Sequence, residues 1–579
     1  MPTNIIGYLH GHDSSACLVQ DGRVVAFIEE ERLIRQKHAV GIFPVRAIEG
    51  CLKQGGISLA DVDCFAFGYD APRFDNGEIA AFYEKTNQTY PPDPGTKGWQ
   101  QVNLKKHSSK VLSDRLHYEL QRYFGSGSDI PLEYFPHHES HAHAAFHYSG
   151  FDEALILIVD GSGDHQCTTI WKGSGTEITQ LYEINIPHSL GWFYSAITEF
   201  LGFEAYDGEY KVMGLAPLGK PNADIRAKLQ QVLHPGPSQF DYVLNRDYIH
   251  NGKHSYSTRF TDELAELLGV APRAEKGKIE QIHMDIAYEA QHLLEECVFR
   301  LLTHFRETTG LRHLTIGGGV GQNVKLNGRI RESGMFDDIS LFPIPSDSGT
   351  ATGAALGVYQ RKTGKVVRDR LRDLYWGPSF TDAQIENELK TCRLTAERPQ
   401  ALASTVADML ASGKIVGWFQ GEMEAGARAL GHRSILADPR HASGRDRVNE
   451  AIKYREIWRP FCPSMTADAL ERFATHPAYD PFMITAFTAT EEAKALLPAV
   501  IHVDGTMRVQ IVEEDTNPLF YELLREFEKK AGVSVLLNTS FNIKGEPIVC
   551  TPRDAIRTFY STGLDALILG PYVLGKSRS

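Results

Sequence analysis

The strongest constraint on the fold is a pattern that occurs twice. Residues 4–34 read NIIGYLHGHDSSACLVQDGRVVAFIEEERLI. Two β-rich runs, 5–9 and 16–19, flank a polar loop at 10–15, and Asp21-Gly22 turns the chain into a third run at 24–28. The order returns at residue 154: an apolar run over 154–159, the loop Asp160-Gly161-Ser162-Gly163-Asp164, a run at 168–171, a Gly-Ser-Gly turn and a run at 178–184. The match is one of pattern, not of residue identity. It predicts an internally duplicated α/β domain whose two loops face each other across a cleft.

The intervening and following segments fit that frame. Residues 44–56 read as a helix closed by Gly55-Gly56, and 62–67 as a buried strand. From Ala71 to Lys110 the chain is polar and turn-rich, long for an unstructured connection; a substrate-binding lid and a surface excursion are equally consistent with it. A helix followed by a segment centred on Lys211 spans 187–219. Apolar residues at three- and four-residue spacing over 283–309 predict a long core helix closed by Gly310. Residues 314–316 then run into a glycine turn, 317–321, and a new helix after Asn323. Ser346-Asp347-Ser348-Gly349 precedes a helix of small residues, and a basic, polar stretch at 360–372 marks a domain boundary. Beyond it, strands are expected at 414–419 and 533–537, the second leading into Asn538-Thr539-Ser540-Phe541-Asn542.

A chain of 579 residues exceeds one core and predicts three or four packing units. Its net charge of −13 disfavours non-specific attraction to nucleic acid or an anionic membrane. The eight cysteines are scattered without CxxC spacing and read as reduced thiols. The N-terminus lacks the basic and apolar regions of a signal peptide, and no apolar run approaches the roughly 18 residues of a spanning helix. The expectation is a cytoplasmic enzyme.

Three constellations carry chemistry. His137 and His141 lie on one face of any helix that contains both, which suits bidentate metal binding, although buried or surface imidazoles meet that spacing equally well. Asp347 could complete a two-His, one-carboxylate set with open positions, typical of Fe(II) or another divalent ion. His138, His143 and His147 read as packing or supporting groups. The second constellation comprises the glycine turns, with Asp160, Gly161, Ser162, Gly163, Gly318, Gly319 and Asn323 as candidates for nucleotide contact, joined by Lys211; glycines admit close backbone approach and helix N-termini favour anions. The third is a group of cations, Arg428, Arg433, Lys453, Arg459 and Arg508, amid Gly426, Gly431, Trp458, Pro460 and Phe461. Those neighbours suggest a pocket wall for several phosphate groups where a solvated face is the default.

GHDSSACLVQDG, HHESHAHAAF, VDGSGD, EYKVMGLAPLG, GGGVGQNVKLN, GARALGHRSILADPR and LLNTSFN, in this order and across nearly the whole chain, resemble the O-carbamoyltransferases of the nodulation and antibiotic-tailoring type. The resemblance implies an α/β protein with a duplicated actin/hexokinase-like N-terminal domain, 1–365, that carries out carbamoyl transfer and holds the metal and nucleotide site. A smaller α/β domain, 366–579, would bind carbamoyl phosphate and ATP and form carbamoyl-adenylate. Mg(II) would accompany ATP, and the acceptor would be a hydroxyl of a small molecule such as a natural product or sugar. Carried over by position, His137, His141 and Asp347 match metal ligands, and His12 matches the group assisting deprotonation of the acceptor. Arg428, Lys453, Arg459, Arg508 and Ser540 match the activating pocket, with Asn542 completing its Ser-x-Asn. Glu-Ala-Gly-Ala-Arg stands where that pocket has an aromatic residue and a proline around the glycine. Neither nucleic acid nor membrane is expected as a partner, and a homodimer is left open. Competing classes are a sugar-kinase-like or chaperone-like ATPase, a tRNA threonylcarbamoyl-type enzyme and a non-catalytic nucleotide sensor.

Overall fold

The computed structural model describes residues 3–250, 259–453, 456, 458–459 and 461–576; Pro460, one of the expected pocket-wall residues, lies outside them. The first sheet is built from β1 (Asn4–Leu9), β2 (Ser15–Gln20), β3 (Arg23–Glu29), β4 (Cys64–Phe67) and β5 (Leu132–Tyr134), in the order β3-β2-β1-β4-β5. Its first three strands form an antiparallel meander, and β4 and β5 add parallel to β1. Asp21 and Gly22 adopt positive φ at the hairpin, as an Asp-Gly turn requires.

The second sheet repeats the first. Its meander is β6 (Glu153–Gly163), β7 (Gln166–Ser174) and β8 (Glu177–Asn185). A small ladder, β9 (Leu233–Pro235) with β10 (Tyr242–Leu244), intervenes before β11 (His313–Gly317) and β12 (Asp338–Leu341). The order β8-β7-β6-β11-β12, with β11 and β12 parallel to β6, matches the first sheet strand for strand. The duplicated frame is therefore present in the topology. The helices around the first sheet include α1 (Glu30–Ile34) and α2 (Val45–Gly55). Between the sheets, α7 (His137–His147) crosses the helix Thr350–Thr363. A Cβ at Gly353 would stand 1.7 Å from the Ser140 carbonyl oxygen, which accounts for the small residues of that helix. The long helix over Gln281–Thr309 is closed by Gly310 in the left-handed conformation.

Two expectations change. Residues 71–110 are not an unstructured excursion: they fold into α3 (Ala71–Asp75), α4 (Glu78–Thr89) and α5 (Pro94–Lys106), followed by α6 (Ser109–Phe124). Asp93 caps α5, and Phe74, Ile79 and Tyr83 bury themselves with Cys167, Ile186 and Trp192, so a few well-spaced apolar residues order a polar segment. The Asp160–Asp164 stretch is not a free loop either. β6 continues through an irregular register to Gly163, leaving Asp164 and His165 at the hairpin tip.

After Thr363 the chain runs without regular structure, its Leu371 and Leu374 packed in the core of the duplicated sheets. The C-terminal region contains β13 (Val416–Phe419), β14 (Arg433–Ala437), β15 (Cys462–Met465), β16 (Ala486–Thr488), β17 (Thr506–Arg508), β18 (Gln510–Ile511), β19 (Val535–Ser540), β20 (Ala566–Leu569) and β21 (Tyr572–Gly575). Seven of them form a mixed sheet, β18-β15-β19-β14-β13-β20-β21, over a second apolar core around Trp418, Phe520 and Leu536. All eight cysteines are free thiols, and among the described residues no helix is long and apolar enough to cross a membrane.

Candidate active site

The hairpin tip organises the N-terminal site. Pro136 cannot cap α7, and the cap comes from Asp164, whose carboxylate accepts from the backbone N–H of His137 at 2.9 Å and of Asp70 at 3.0 Å. Helical spacing then sets His137 and His141 on one face. His137 Nδ1 lies 3.0 Å from the Gly68 carbonyl, which only accepts, so Nδ1 carries a proton and Nε2 is the nitrogen turned toward the carboxylates. Asp160 Oδ2 stands 3.3 Å from His137 Nε2 and 3.7 Å from His141 Nε2, while Asp347 Oδ1 stands 3.7 and 4.0 Å from the same two atoms.

Four potential ligand atoms thus fall within 4.8 Å of one another. Burial opposes charge on His137, yet the hydrogen bond to Asp160 and the nearby Asp347 carboxylate hold it well above the ordinary imidazole range. Burial likewise opposes charge on Asp160, and His137 and His141 hold it well below the usual carboxylate range. The buried His141 Nε2 has no hydrogen-bond partner among the described residues. Two carboxylates around two imidazoles demand positive charge at the centre, and this donor set suits a divalent cation. Asp347, 39% exposed in its side chain, lies on the open side. His138, bonded to Thr169, and His147, bonded to the His143 carbonyl, are packing groups whose pKa burial pushes down. Tyr69 joins the centre to the helical insertion: its ring lies 4.7 Å from that of His137 and stacks at 4.2 Å on His107, just past α5.

His12 occupies the loop between β1 and β2, the counterpart of the β6–β7 hairpin. Ser15 Oγ ties that loop to the carbonyl of Ser348, next to Asp347. His12 Nδ1 faces Asp13 Oδ2 at 3.2 Å, and its ring stacks on His38 at 4.6 Å. Lys211 sits on α9 (Glu209–Leu215), its ammonium over the Phe203 ring at 5.7 Å. Gly319 N donates to Asp160 Oδ1 at 3.1 Å, which links the second glycine turn to the histidine cluster. Gly318 keeps that turn in a positive-φ conformation beside Val159. Gly161 accepts from Ser189 Oγ, and Ser162 is half-buried. The Asn323 amide caps the next helix and pairs reciprocally with Gln291, so both its ends are engaged within the protein.

The C-terminal cations gather where β13 and β19 end and β14 and β15 begin. Lys453 Nζ reaches the Ser540 carbonyl at 2.6 Å, Ser540 Oγ at 3.2 Å and Asn542 Oδ1 at 2.8 Å, and Ser540 Oγ donates to Asn542 Oδ1 at 2.7 Å. On the neighbouring strand Cys462 pairs with Asn538, and the Arg508 guanidinium bonds its sulfur at 2.8 and 3.0 Å. Arg428 is pushed down to about 9, by burial first and then by Arg508, with Arg459 adding and Cys462 and Tyr210 opposing. Among the described residues Arg428 and Arg508 form no ion pair with a carboxylate, which leaves converging positive charge for an anion. Arg459 covers the Tyr210 ring at 4.5 Å and meets Glu456 at 3.4 Å. Because Tyr210 precedes Lys211, the cationic pocket abuts α9 of the duplicated domain. Arg433 is the exception: fully buried, it bonds the carbonyls of Gln420, Gly421, His432 and Pro378 and stacks over Phe419, so it braces the sheet and does not face the pocket.

Sequence reasoning missed Asp164 as a cap, the metal-side position of Asp160, Tyr69, and the groups behind His12. Asp13 belongs to the same motif as His12 and was legible; His38 carries no local pattern that singles it out.

A family model described as the carbamoyltransferase N-terminus matches residues 4–356, and one described as the carbamoyltransferase C-terminus matches 407–576. An uncharacterized Synechocystis sp. protein, sll1178, is 38% identical over 99% of this chain and 97% of its own. Nodulation protein NolNO of Sinorhizobium fredii is 38% identical over 98% of this chain and 79% of its own, and nodulation protein NolO of Bradyrhizobium diazoefficiens is 40% identical over 76% and 78%.

Proposed function

This chain belongs to the carbamoyltransferase family, and on that premise we propose that it is an ATP-dependent O-carbamoyltransferase whose C-terminal region, 366–579, forms carbamoyl-adenylate and whose duplicated domain, 1–365, transfers it. The observation that carries this reading is the convergence of Arg428, Arg459 and Arg508 beside the Lys453–Ser540–Asn542 network. Carbamoyl phosphate and ATP repel each other, and preorganised cations remove that barrier without reorganisation at the moment of reaction. In the balanced sequence, water splits carbamoyl phosphate into carbamate and inorganic phosphate. A carbamate oxygen then attacks the α-phosphorus of ATP and pyrophosphate leaves. Mg(II) accompanies ATP as a further neutralising charge.

Transfer follows at the N-terminal site. The acceptor hydroxyl oxygen attacks the carbamoyl carbon, the bond to AMP breaks, and the hydroxyl proton goes to His12, an imidazole suited to that task near neutral pH. His137, His141, Asp160 and Asp347 would hold a divalent ion, Fe(II) or another, which when bound would stabilise negative charge on the departing phosphate. Gly161, Ser162, Gly163, Gly318 and Gly319 would supply backbone approach to the adenylate, with Lys211 between the two sites. The acceptor is a hydroxylated small molecule, consistent with the nodulation proteins among the relatives.

Incubation with ATP, carbamoyl phosphate and a panel of hydroxylated natural products and oligosaccharides tests the proposal. One product should gain about 43 Da, the CONH added when a carbamoyl group replaces a proton. AMP and pyrophosphate should accumulate with it. ADP in place of AMP would favour a kinase and overturn the adenylate.

A further inference from the structure

The groups behind His12 form a charged cluster drawn from several elements. Asp13 Oδ1 receives His38 Nδ1 at 2.7 Å, and the other Asp13 oxygen faces His12 Nδ1 at 3.2 Å. His38 Nε2 lies 3.6 Å from Asp207 Oδ1, which Lys37 Nζ approaches to 2.5 Å. Glu31 accepts the His38 backbone N–H at 2.6 Å. Tyr206 closes the other side, its ring 5.0 Å from that of His12, under the Arg259 guanidinium. Lys106 and Arg115 act on the neighbouring His10, pushed down to about 4 by burial first and then by Arg115 and Lys106. Asp13, His38, Ala39 and Tyr206 all hold positive φ, a backbone arrangement that costs free energy and persists only where surrounding contacts enforce it.

Two imidazoles stacked 4.6 Å apart cannot both be protonated cheaply, so the proton goes to the ring with the better acceptors. That ring is His38: a carboxylate faces each of its nitrogens. Burial works against its charge, but the hydrogen bond to Asp13 and the Asp207 carboxylate 3.6 Å away outweigh burial and raise it to about 10. We propose that Asp13 and His38 are positioning residues for His12, Asp13 by fixing its ring through Nδ1, and His38 by setting positive charge against that ring, which opposes a second charge there. The consequence for turnover rests on the proposed role of His12; the electrostatic relation does not.

The two are separated by measuring His12 directly. The full-length protein, labelled in its histidine rings, is titrated by NMR, with the His12 signal identified by its loss in His12→Gln. In His38→Gln the neighbouring cation is gone and Asp13 is no longer neutralised, so the His12 midpoint should rise by on the order of one unit. In Asp13→Asn it should fall. Asp207→Asn, which removes one partner of His38 from a separate element, should raise the His12 midpoint in the range where His38 now loses its proton. The acidic limb of the carbamoyl-transfer pH profile should follow these shifts, to higher pH in His38→Gln and to lower pH, with a reduced plateau, in Asp13→Asn. A His12 midpoint unmoved in both His38→Gln and Asp207→Asn overturns the electrostatic relation. Midpoints that move while the transfer profile stays fixed support that relation and overturn His12 as the base.

Discussion

Gly163→Ala tests the proposed metal centre through a contact rather than through a ligand. The backbone at Gly163 is extended, so alanine meets no conformational penalty there; the difficulty is space. A Cβ at that position would stand 1.9 Å from His137 Cδ2 and 2.1 Å from Cγ. Ordinary contact begins near 3.4 Å, so the imidazole must retreat by 1.5 Å (3.4 − 1.9) or the hairpin must lift by as much. Metal sites tolerate displacements of only about 0.2 Å. His137 cannot rotate away freely, because its Nδ1 is bonded to Gly68 and its backbone N–H to Asp164. Overpacking of this kind costs about 1–3 kcal/mol and should lower the melting temperature by a few degrees. Metal retained after dialysis, measured by elemental analysis, should fall at least about 10-fold. Carbamoyl-phosphate-dependent exchange of pyrophosphate into ATP should continue at the wild-type rate. Wild-type metal content in a folded variant would refute both the ligand role of His137 and the reasoning from its contact with the hairpin.

Lys453→Ala or Ser540→Ala should abolish pyrophosphate exchange while metal content stays unchanged, since each removes part of the network at the end of β19. His141→Ala should do the reverse, losing metal and transfer but keeping exchange. Arg32→Ala should destabilise the protein by about 3–5 kcal/mol in chemical denaturation, because it leaves buried Glu29 and half-buried Glu31 without the guanidinium between them. Glu30 predicts a pH dependence: burial pushes it up to about 7, with the Ala47 N–H bond opposing. A carboxyl raised above its unfolded value makes the folded state bind more protons, so stability falls as pH rises from about 4.5 to about 7, by about 3 kcal/mol in all. Glu30→Gln should remove most of that loss between pH 5 and 8 in denaturation midpoints, and an unchanged slope would contradict the assignment.

The parts of this structure legible in sequence are those where a local pattern and a tertiary role coincide. The two meanders were readable because Asp21-Gly22 and the apolar runs on either side specify a hairpin without help from the rest of the chain. The pair His137 and His141 was readable from helical spacing, and Asp347 from a small-residue loop after a strand. Asp160 and Asp164 were visible as a motif, but their division of labour was not: which carboxylate turns to the histidines and which caps α7 depends on the register irregularity between Val159 and Gly163. The insertion misled for a different reason. Its order comes from Phe74, Ile79 and Tyr83 finding Cys167, Ile186 and Trp192, partners about a hundred positions away that no local pattern reveals. Arg433 shows the same limit, since an arginine in a glycine-rich loop resembles a phosphate ligand until four carbonyls are found around it.

A link between the two sites was beyond any local reading, yet it follows from elementary hydrogen-bond accounting. Glu29 Oε1 accepts the Gly426 N–H at 2.7 Å, and Arg32 donates to the Gly426 carbonyl at 2.7 Å, so both backbone groups of a positive-φ glycine two residues before Arg428 are held by the end of β3 and by α1. On the other face of α1, Glu31 carries the Arg32 guanidinium at 3.0 Å and the His38 backbone N–H at 2.6 Å. Arg35 adds bonds to the carbonyls of Pro547 and Ile548, just beyond the Ser540–Asn542 turn. One five-residue helix and the residues flanking it, Glu29 and Arg35, therefore fix the loop that presents Arg428, the segment after Asn542 and the strained turn that carries His38. Arg32 at its centre is buried, and a buried charge holds position only when every partner is in place. The cationic pocket and the loop that carries His12 consequently share one rigid support, and a change that loosens α1 should disturb both sites together, whereas changes at Lys453 or His141 should disturb one.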